Sequence, residues 1–275
     1  MPATRRSLVL ITDFGDQDWF VGTMKGVIKG IAPDVDVLDL THQIPEYNIA
    51  AGSFALLSSY PYFPPGTVFC AVVDPGVGGE RQPLVISAGD YFFTAPDNGL
   101  LAIPRLAQEK DFQARIASNP EFYRTRSPDA TFHGRDVFAP LAAHLARGVS
   151  LEEMGPPADS LVPCAIPEPR SRNDHFLEGE IIYVDRFGNL ILNISRTHVQ
   201  GSVFTGLEPA AWRLEINHVL LHGLSRTFSD KKNKELLFYW GSSDFLEIAV
   251  NQGNAAATLN SGIGSAVHLS AIEKK

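Results

Sequence analysis

The pattern of apolar residues changes once along this chain, near Pro163, and that change constrains the fold more than any other feature. Before it, strand-like and helix-like runs alternate. Leu8–Ile11, Val35–Leu40 and Thr67–Val73 read as strands, the last unbroken and apolar, as a parallel strand covered on both faces should be. Trp19–Ile31 carries apolar residues at helical spacing with Asp18 in place to cap it; Asn48–Ser59 and Val137–Ala146 read as further helices. Leu84–Ser87 and Tyr91–Thr94 flank Gly89-Asp90 as a hairpin, and Asp97-Asn98-Gly99 is a turn. The proline-rich, mixed-charge stretch Pro163–Asp174 reads as a linker. Beyond it, Glu180–Val184 and Leu190–Ile194 alternate around Arg186-Phe187-Gly188-Asn189, and short strands follow at Trp212–Ile216, Leu236–Tyr239, Phe245–Val250 and Ala266–Leu269, with no long helix. The expected architecture is an α/β domain over residues 1–165, its mostly parallel sheet flanked by helices. A linker at 166–175 leads to a smaller all-β domain over 176–275, a barrel or a sandwich.

Composition narrows the function classes. A formal net charge of -8 over 275 residues argues against a nonspecific nucleic-acid binder, which needs a basic face. Two cysteines, Cys70 and Cys164, are too few for a disulfide framework and fit a reduced, cytoplasmic compartment. Cys70 lies inside an apolar strand and reads as a buried small hydrophobe. The apolar run before Asp13 is too short for a signal-peptide core, and nothing approaches the roughly 18 apolar residues of a membrane span.

Three polar segments punctuate the first half: Thr12–Gly15, Val73–Arg81 and Thr131–Asp136. In an open parallel sheet, loops at the carboxyl ends of strands line the ligand crevice, so an acid, an acid–arginine pair and a histidine gathered there suggest a site. Each piece also has a plain structural reading. Asp74–Arg81, with Gly76, Gly78 and Gly79, suits a tight turn carrying a surface ion pair; it lacks the Lys-Ser/Thr ending of a phosphate loop. His133 could be structural, with Thr131 or Asp136 merely capping the helix that follows. Asp13-Phe14-Gly15 matches the kinase magnesium motif without that family's other signatures. No two histidines stand at zinc-ligand spacing, so no metal is expected.

Taken together and in order, Thr12–Gly15, Asp74–Arg81, Ala95–Gly99, Phe132–Asp136 and Asp185–Asn189 resemble the S-adenosyl-L-methionine (SAM) hydroxide adenosyltransferases, a family related to the SAM-dependent fluorinase and chlorinase. The similarity runs from about Leu8 to Leu269. It implies that water or hydroxide attacks C5′ of the SAM ribose, giving adenosine and L-methionine with no cofactor. By motif match, Asp74, Arg81 and His133 would hold the water, Phe132 and Gly134 would be among the substrate-binding residues, and Asp13 would bind the ribose hydroxyls. Tyr47 stands where the halogenases carry a Trp; Asp18 and Asp185 match acidic positions around the methionine ammonium. Phe187 and Asn189 match adenine contacts, and Ser242 a residue near the methionine end. The resemblance also implies a homotrimer with active sites between subunits.

Departures from the fluorinase pattern bear on chemistry. That enzyme has Tyr in place of Asp74 and a halide-binding Ser in place of Gly134, and it carries an insertion where this chain has Gly89-Asp90. A halogenase is therefore the weaker alternative, and a non-catalytic SAM- or adenosine-binding protein is a third.

Overall fold

The computed structural model describes residues 7–173, 176–200, 202 and 204–271. By backbone contacts the chain divides into two compact units, Met1–Ala165 and Ile166–Lys275.

The first unit is built on a six-stranded sheet in the order β2-β1-β3-β5-β4-β6. Its strands are β1 (Ser7–Thr12), β2 (Asp36–Thr41), β3 (Val68–Val72), β4 (Pro83–Ala88), β5 (Tyr91–Pro96) and β6 (Gln113–Ile116). β1 pairs parallel with β2 and β3, and β3 with β5, whereas β4 is antiparallel to both β5 and β6. This is the expected mostly parallel α/β unit; β6 is a short edge strand whose sequence gives no strong alternation.

Helices cover both faces because side chains alternate across a strand. Leu8, Leu10, Val68, Cys70 and Val72 face one way and pack with Met24 and Ile28 of α1 (Phe20–Ile31) and Leu141 and Leu145 of α4 (Ala139–Ala146). On the other face Phe69 stacks on Phe93 at 5.3 Å, and Tyr60, just after α2 (Ile49–Ser59), meets Phe93 edge-on. Cys70 is fully buried, and burial pushes its thiol well above the ordinary range. Asn48 caps α2 by accepting from the Ala51 N–H at 2.9 Å. Two shorter helices, α3 (Pro104–Gln108) and α5 (Leu151–Met154), complete the unit.

Two local expectations are corrected. Asp18 does not cap α1: Trp19 occupies the cap position in helical geometry, with no side-chain cap. The helix expected at Val137 starts earlier, as a π-turn over Gly134–Phe138 that runs into α4. Pro140 supplies the reason. It has no N–H, so the Asp136 carbonyl loses its usual partner four residues on. That carbonyl instead accepts from the Arg124 N–H at 2.9 Å, while the Ala139 N–H reaches back to Gly134.

The second unit is an eight-stranded antiparallel sheet in the order β11-β10-β14-β8-β9-β13-β12, with β7 also paired to β8. Its strands are β7 (Arg170–Asn173), β8 (Phe176–Val184), β9 (Leu190–Ser195), β10 (Trp212–Ile216), β11 (Val219–His222), β12 (Leu236–Trp240), β13 (Phe245–Val250) and β14 (Ala266–Ala271). A bridge between Ser225, just after β11, and Tyr239 of β12 draws the two ends of this order together into a nearly closed barrel. Two short helices, α6 (Arg196–Val199) and α7 (Ala255–Leu259), interrupt the strands. Within the stretch expected as a linker, Arg170–Asn173 forms β7; position 175 and Asp174 lie outside the described residues. Among the described residues no helix is long and apolar enough to cross a membrane.

Gly155, after α5, takes φ +157°, and a Cβ there would lie 2.0 Å from the Ile116 carbonyl oxygen at the end of β6. Gly155→Ala is therefore expected to destabilise the protein by more than ~1 kcal/mol, the usual scale when a side chain is forced on a positive-φ glycine. Denaturant unfolding of the two forms measures it, and equal midpoints would refute the close approach.

Candidate active site

The turn after β3 brings the acid–arginine pair together. Gly78 takes φ +76°, and a Cβ there would sit 2.3 Å from the Ala130 carbonyl oxygen. Only glycine lets this turn close against the segment leading to His133. Arg81 folds back on Asp74: Nε donates to Oδ1 at 2.9 Å and to Oδ2 at 3.1 Å, and Nη2 also donates to Oδ2. The same Nη2 donates to His133 Nδ1 at 2.8 Å. The Asp74 and Arg81 side chains are only 4% and 10% exposed, so this fork is held largely out of water. The guanidinium also lies over the Phe138 ring, 5.6 Å from its centre.

These contacts fix the state of His133. A guanidinium can only donate, so Nδ1 accepts, and the proton of the neutral ring sits on Nε2. Burial, then the charge of Arg81, hold the His133 pKa below its ordinary value of 6.5, with Asp74, Asp136 and Asp129 pulling the other way.

Beneath His133 lies Asp136, fully buried. It accepts from Arg135 Nε at 2.7 Å and Nη2 at 2.8 Å, from Arg124 Nε, and from the Asp129 N–H at 3.1 Å. Burial alone would raise its pKa; the hydrogen bonds from Arg135 and Arg124 outweigh that and hold it far below the ordinary carboxylate range. Asp136 thus ties the loop before His133 to the π-turn after it, rather than capping a helix. Arg135 in turn lies 5.1 Å over the Phe132 ring.

Asp74 and His133 open on a pocket of about 140 Å³, walled by Phe14, Phe20 and Phe132 and lined also by Val72, Val77, Thr131 and Gly134. The three phenylalanine rings meet edge to face at 5.3 to 5.9 Å. Gly134 is buried beneath them; a Cβ there would stand 3.1 Å from both Phe14 and Phe132.

Asp13 opens the loop after β1, close enough to Asp74 to feel its charge. Its Oδ2 accepts from the Tyr47 N–H at 2.9 Å, and burial is the main cause of a raised pKa. Tyr47 holds φ +63°, strained for a residue with a side chain, and is 69% exposed. Asp18 is exposed and does not line the pocket.

In the second unit, Asp185, Phe187 and Asn189 form one turn. Asp185 Oδ1 accepts from the N–H groups of Phe187 and Asn189, and Oδ2 accepts from Asn189 Nδ2, all at 2.8 Å. Phe187 is 75% exposed while Asn189 is buried. Ser242 stands apart, exposed in the turn between β12 and β13; the pairing of Phe245 with Ser195 places that turn at the far end of the strands from Asp185. Glu247 lies between the two turns. Its side chain covers Gly241 and accepts from Tyr239 Oη at 2.5 Å, and burial, aided by the charge of Asp185, raises its pKa.

Residue matching alone did not single out Glu247, Tyr239 or His42, a buried residue just after β2. Glu247 stands as the one acid in the apolar strand β13, a signal that was legible. His42 has no such mark. Among the described residues, no group of three or more His, Cys, Asp or Glu is assembled to hold a metal.

Comparison with known proteins decides the family. The SAM hydroxide adenosyltransferase N-terminal domain matches residues 8–155, and the C-terminal domain of that family matches 179–268. The chain belongs to the SAM hydroxide adenosyltransferase family. Relatives in the family include a protein of Thermus thermophilus named (R)-S-adenosyl-L-methionine hydrolase, 36% identical over 96% of this chain and 99% of its own. One of Methanocaldococcus jannaschii with the same name is 33% identical over 92% of this chain and 91% of its own. A fluorinase of Actinoplanes is more distant, 28% identical over 96% of this chain and 98% of its own. A crystal structure of an uncharacterized conserved protein from Thermotoga maritima superposes with TM-score 0.85 at 34% identity, covering 96% of this chain and 99% of that one.

The lowered pKa of His133 predicts a measurable pH response. With its folded value below 6.5, the unfolded chain binds the proton first as pH falls, so this group's contribution to stability declines from about pH 6.5 downward. For Asp136, also lowered, the contribution is full above the ordinary value of 3.8 and is lost as pH falls through its folded value. In an NMR titration the His133 ring should show a midpoint below 6.5, and Arg81→Gln should move it upward. An unmoved midpoint in that variant would refute the Arg81–His133 contact.

Proposed function

We propose that this protein hydrolyses S-adenosyl-L-methionine to adenosine and L-methionine, by attack of a water oxygen on ribose C5′. The observation that carries the reading is one guanidinium, that of Arg81, holding Asp74 and His133 together at an aromatic pocket. It does so in a chain of a family whose relatives are named hydrolases of this substrate. Those names specify the R form, and we extend that preference to this chain.

The chemistry suits the groups available. The new O–C5′ bond forms as the C5′–S bond breaks, and its electron pair passes to sulfur, turning a sulfonium into a neutral thioether. Such a leaving group needs no acid to expel it. The protein must align a water and accept its proton, and alignment alone can supply up to roughly 7–11 kcal/mol in ideal systems. His133 presents Nε2–H and so orients the water by donation. Asp74 Oδ1 accepts only from Arg81 Nε in the hydrogen bonds of the fork and keeps lone-pair capacity for the water, so Asp74 takes the proton and passes it to solvent. Arg81 balances the carboxylate throughout. The resident groups suffice for this reaction without metal or cofactor.

Asp13 would hold the ribose hydroxyls, with Tyr47, Phe132 and Gly134 shaping the surroundings and Asp18 placed toward the amino-acid end. A pocket of about 140 Å³ is smaller than the ~300–1,000 Å³ of most small-molecule sites. Further residues are therefore needed, and Asp185, Phe187, Asn189 and Ser242 are the proposed suppliers of adenine and methionine contacts. The exposed Phe187 ring suits stacking on a base. We place these sites between subunits of a homotrimer and the protein in the cytoplasm.

The halogenase alternative finds little support. A halide must shed its water to attack, and its pocket must offer donors without nearby negative charge. Asp74 is an acceptor whose charge already engages Arg81, so that cation is not free for a halide, and Asp13 adds a second carboxylate nearby. Gly134 supplies no hydroxyl, and a side chain there would press on two rings.

Incubation with each sulfonium epimer of SAM, with and without molar chloride, tests the proposal. Adenosine and methionine should form in both, faster from the R epimer; mainly 5′-chloroadenosine, or unchanged SAM, would overturn it. Asp74→Asn should lower kcat by about 10²–10⁴-fold, the usual worth of a general base, with substrate binding within a few-fold.

A further inference from the structure

Behind Asp13 lies a chain of contacts that the reaction above does not use. Thr12, the last residue of β1, is fully buried, and its Oγ1 lies 2.8 Å from Nδ1 of His42, which is 4% exposed. On the far side of the ring, Nε2 lies 3.0 Å from Asp39 Oδ1, close but poorly aligned for a hydrogen bond. Lys25 Nζ holds the other Asp39 oxygen at 2.5 Å. In the neutral ring a carboxylate facing Nε2 favours the proton there, which leaves Nδ1 to accept from the Thr12 hydroxyl. That hydroxyl oxygen in turn accepts from the Phe14 N–H at 3.2 Å.

A hydroxyl, a histidine and an aspartate in this order have the connectivity of a hydrolytic triad. The burial of Thr12 rules that role out, because no substrate atom can reach Oγ1. The direction of the remaining contacts points to another role. The His42 carbonyl accepts from the Gly15 N–H at 2.8 Å, and the Tyr47 N–H donates to Asp13 itself at 2.9 Å. The segment from His42 to Tyr47 therefore grips the Asp13 loop before, at and after the acid: at Thr12, at the Asp13 carboxylate and at Gly15.

We infer that His42 is a positioning residue for the substrate reaction, acting through Thr12 to set the loop that presents Asp13. It touches no substrate. It fixes one end of a loop whose carboxylate must meet two hydroxyl groups at hydrogen-bond distance. Loss of that anchor lets the carboxylate wander while the Asp74–Arg81–His133 fork, built on other elements, stays in place. The signature is weakened binding with little change in the chemical step. The inference rests on the reading of Asp13 as the ribose ligand, so the experiment must separate the two.

The test is a double-mutant cycle with Thr12→Val and Asp13→Ala, read by adenosine affinity and by the separate kcat and KM for SAM. Thr12→Val keeps shape and removes the hydroxyl. It should weaken adenosine binding and raise KM about tenfold, the equivalent of ~1.4 kcal/mol, with kcat within threefold. Thr12→Ser, which restores the hydroxyl, should recover most of the loss, and His42→Asn, whose Oδ1 can stand in for Nδ1, should do better than His42→Ala. Added to Asp13→Ala, Thr12→Val should cost almost nothing more, because the group it positions is gone. If Asp13→Ala itself leaves adenosine affinity unchanged, the ribose reading fails. If Asp13→Ala weakens binding but Thr12→Val only lowers thermal stability, or the two losses add in full, the positioning role of His42 is overturned.

Discussion

The site of the first unit depends on a single guanidinium. Arg81 has five N–H donors in a rigid plane, and it spends them on two groups brought from different parts of the chain, Asp74 after β3 and His133 before the π-turn. Each of the three defines the others. Asp74 keeps the cation from being an uncompensated charge in a place where both side chains are largely hidden from water. Arg81 settles which nitrogen of His133 carries the proton and, by its charge, helps keep the ring neutral. Such a buried pair costs much to desolvate and stabilises the fold little for that cost. What it supplies is a fixed arrangement of an acceptor and a donor facing one pocket.

Backbone features give that arrangement its precision. Gly78 permits the Asp74–Arg81 turn to close on Ala130. Pro140 withdraws a donor from the following helix, and the freed Asp136 carbonyl is taken by Arg124, while the Asp136 carboxylate gathers Arg124, Arg135 and the Asp129 N–H. The π-turn of Gly134–Phe138 is thus an ordered consequence of sequence, placed where the chain must present His133 and Phe132 to the same pocket.

The order of elements could be read from the sequence because the signals are local. Unbroken apolar runs mark β1 and β3, and the Gly89-Asp90 hairpin is a two-residue turn. Asp18 misled because a good capping residue next to an apolar periodic run is a statistical signal, and here Trp19 continues the helical geometry without it. β6, β7 and β11 were hidden for a different reason: each is four residues long and depends on a neighbour rather than on its own alternation. In the site, motif order named Asp74, Arg81 and His133 as a set, but spacing alone left their roles open. The tautomer of His133 became readable only once its Nδ1 was found against a donor that can never accept. The grip of His42 on Thr12 leaves no trace in spacing, since it joins two strand ends thirty residues apart through a parallel pairing.

The proposed substrate explains why so little acid–base machinery is present. A sulfonium carries its own activation, so the protein need build only the nucleophile's side. The walls of the pocket suit the other side: Phe14, Phe20 and Phe132 offer aromatic rings, and a cation over such a ring is attracted by about 0.5–2 kcal/mol depending on desolvation. Asp13 adds negative charge nearby. That attraction favours the charged ground state and would by itself slow the reaction, because the positive charge fades as sulfur departs. Catalysis must then come from interactions that strengthen as the new bond forms. In the proposed reaction the contact between the attacking oxygen and Asp74 would be one of these, since the water proton becomes more acidic as its oxygen bonds to carbon. On the proposed mechanism, the placement of that carboxylate against Arg81 would therefore matter more to rate than the affinity of the pocket for the cation.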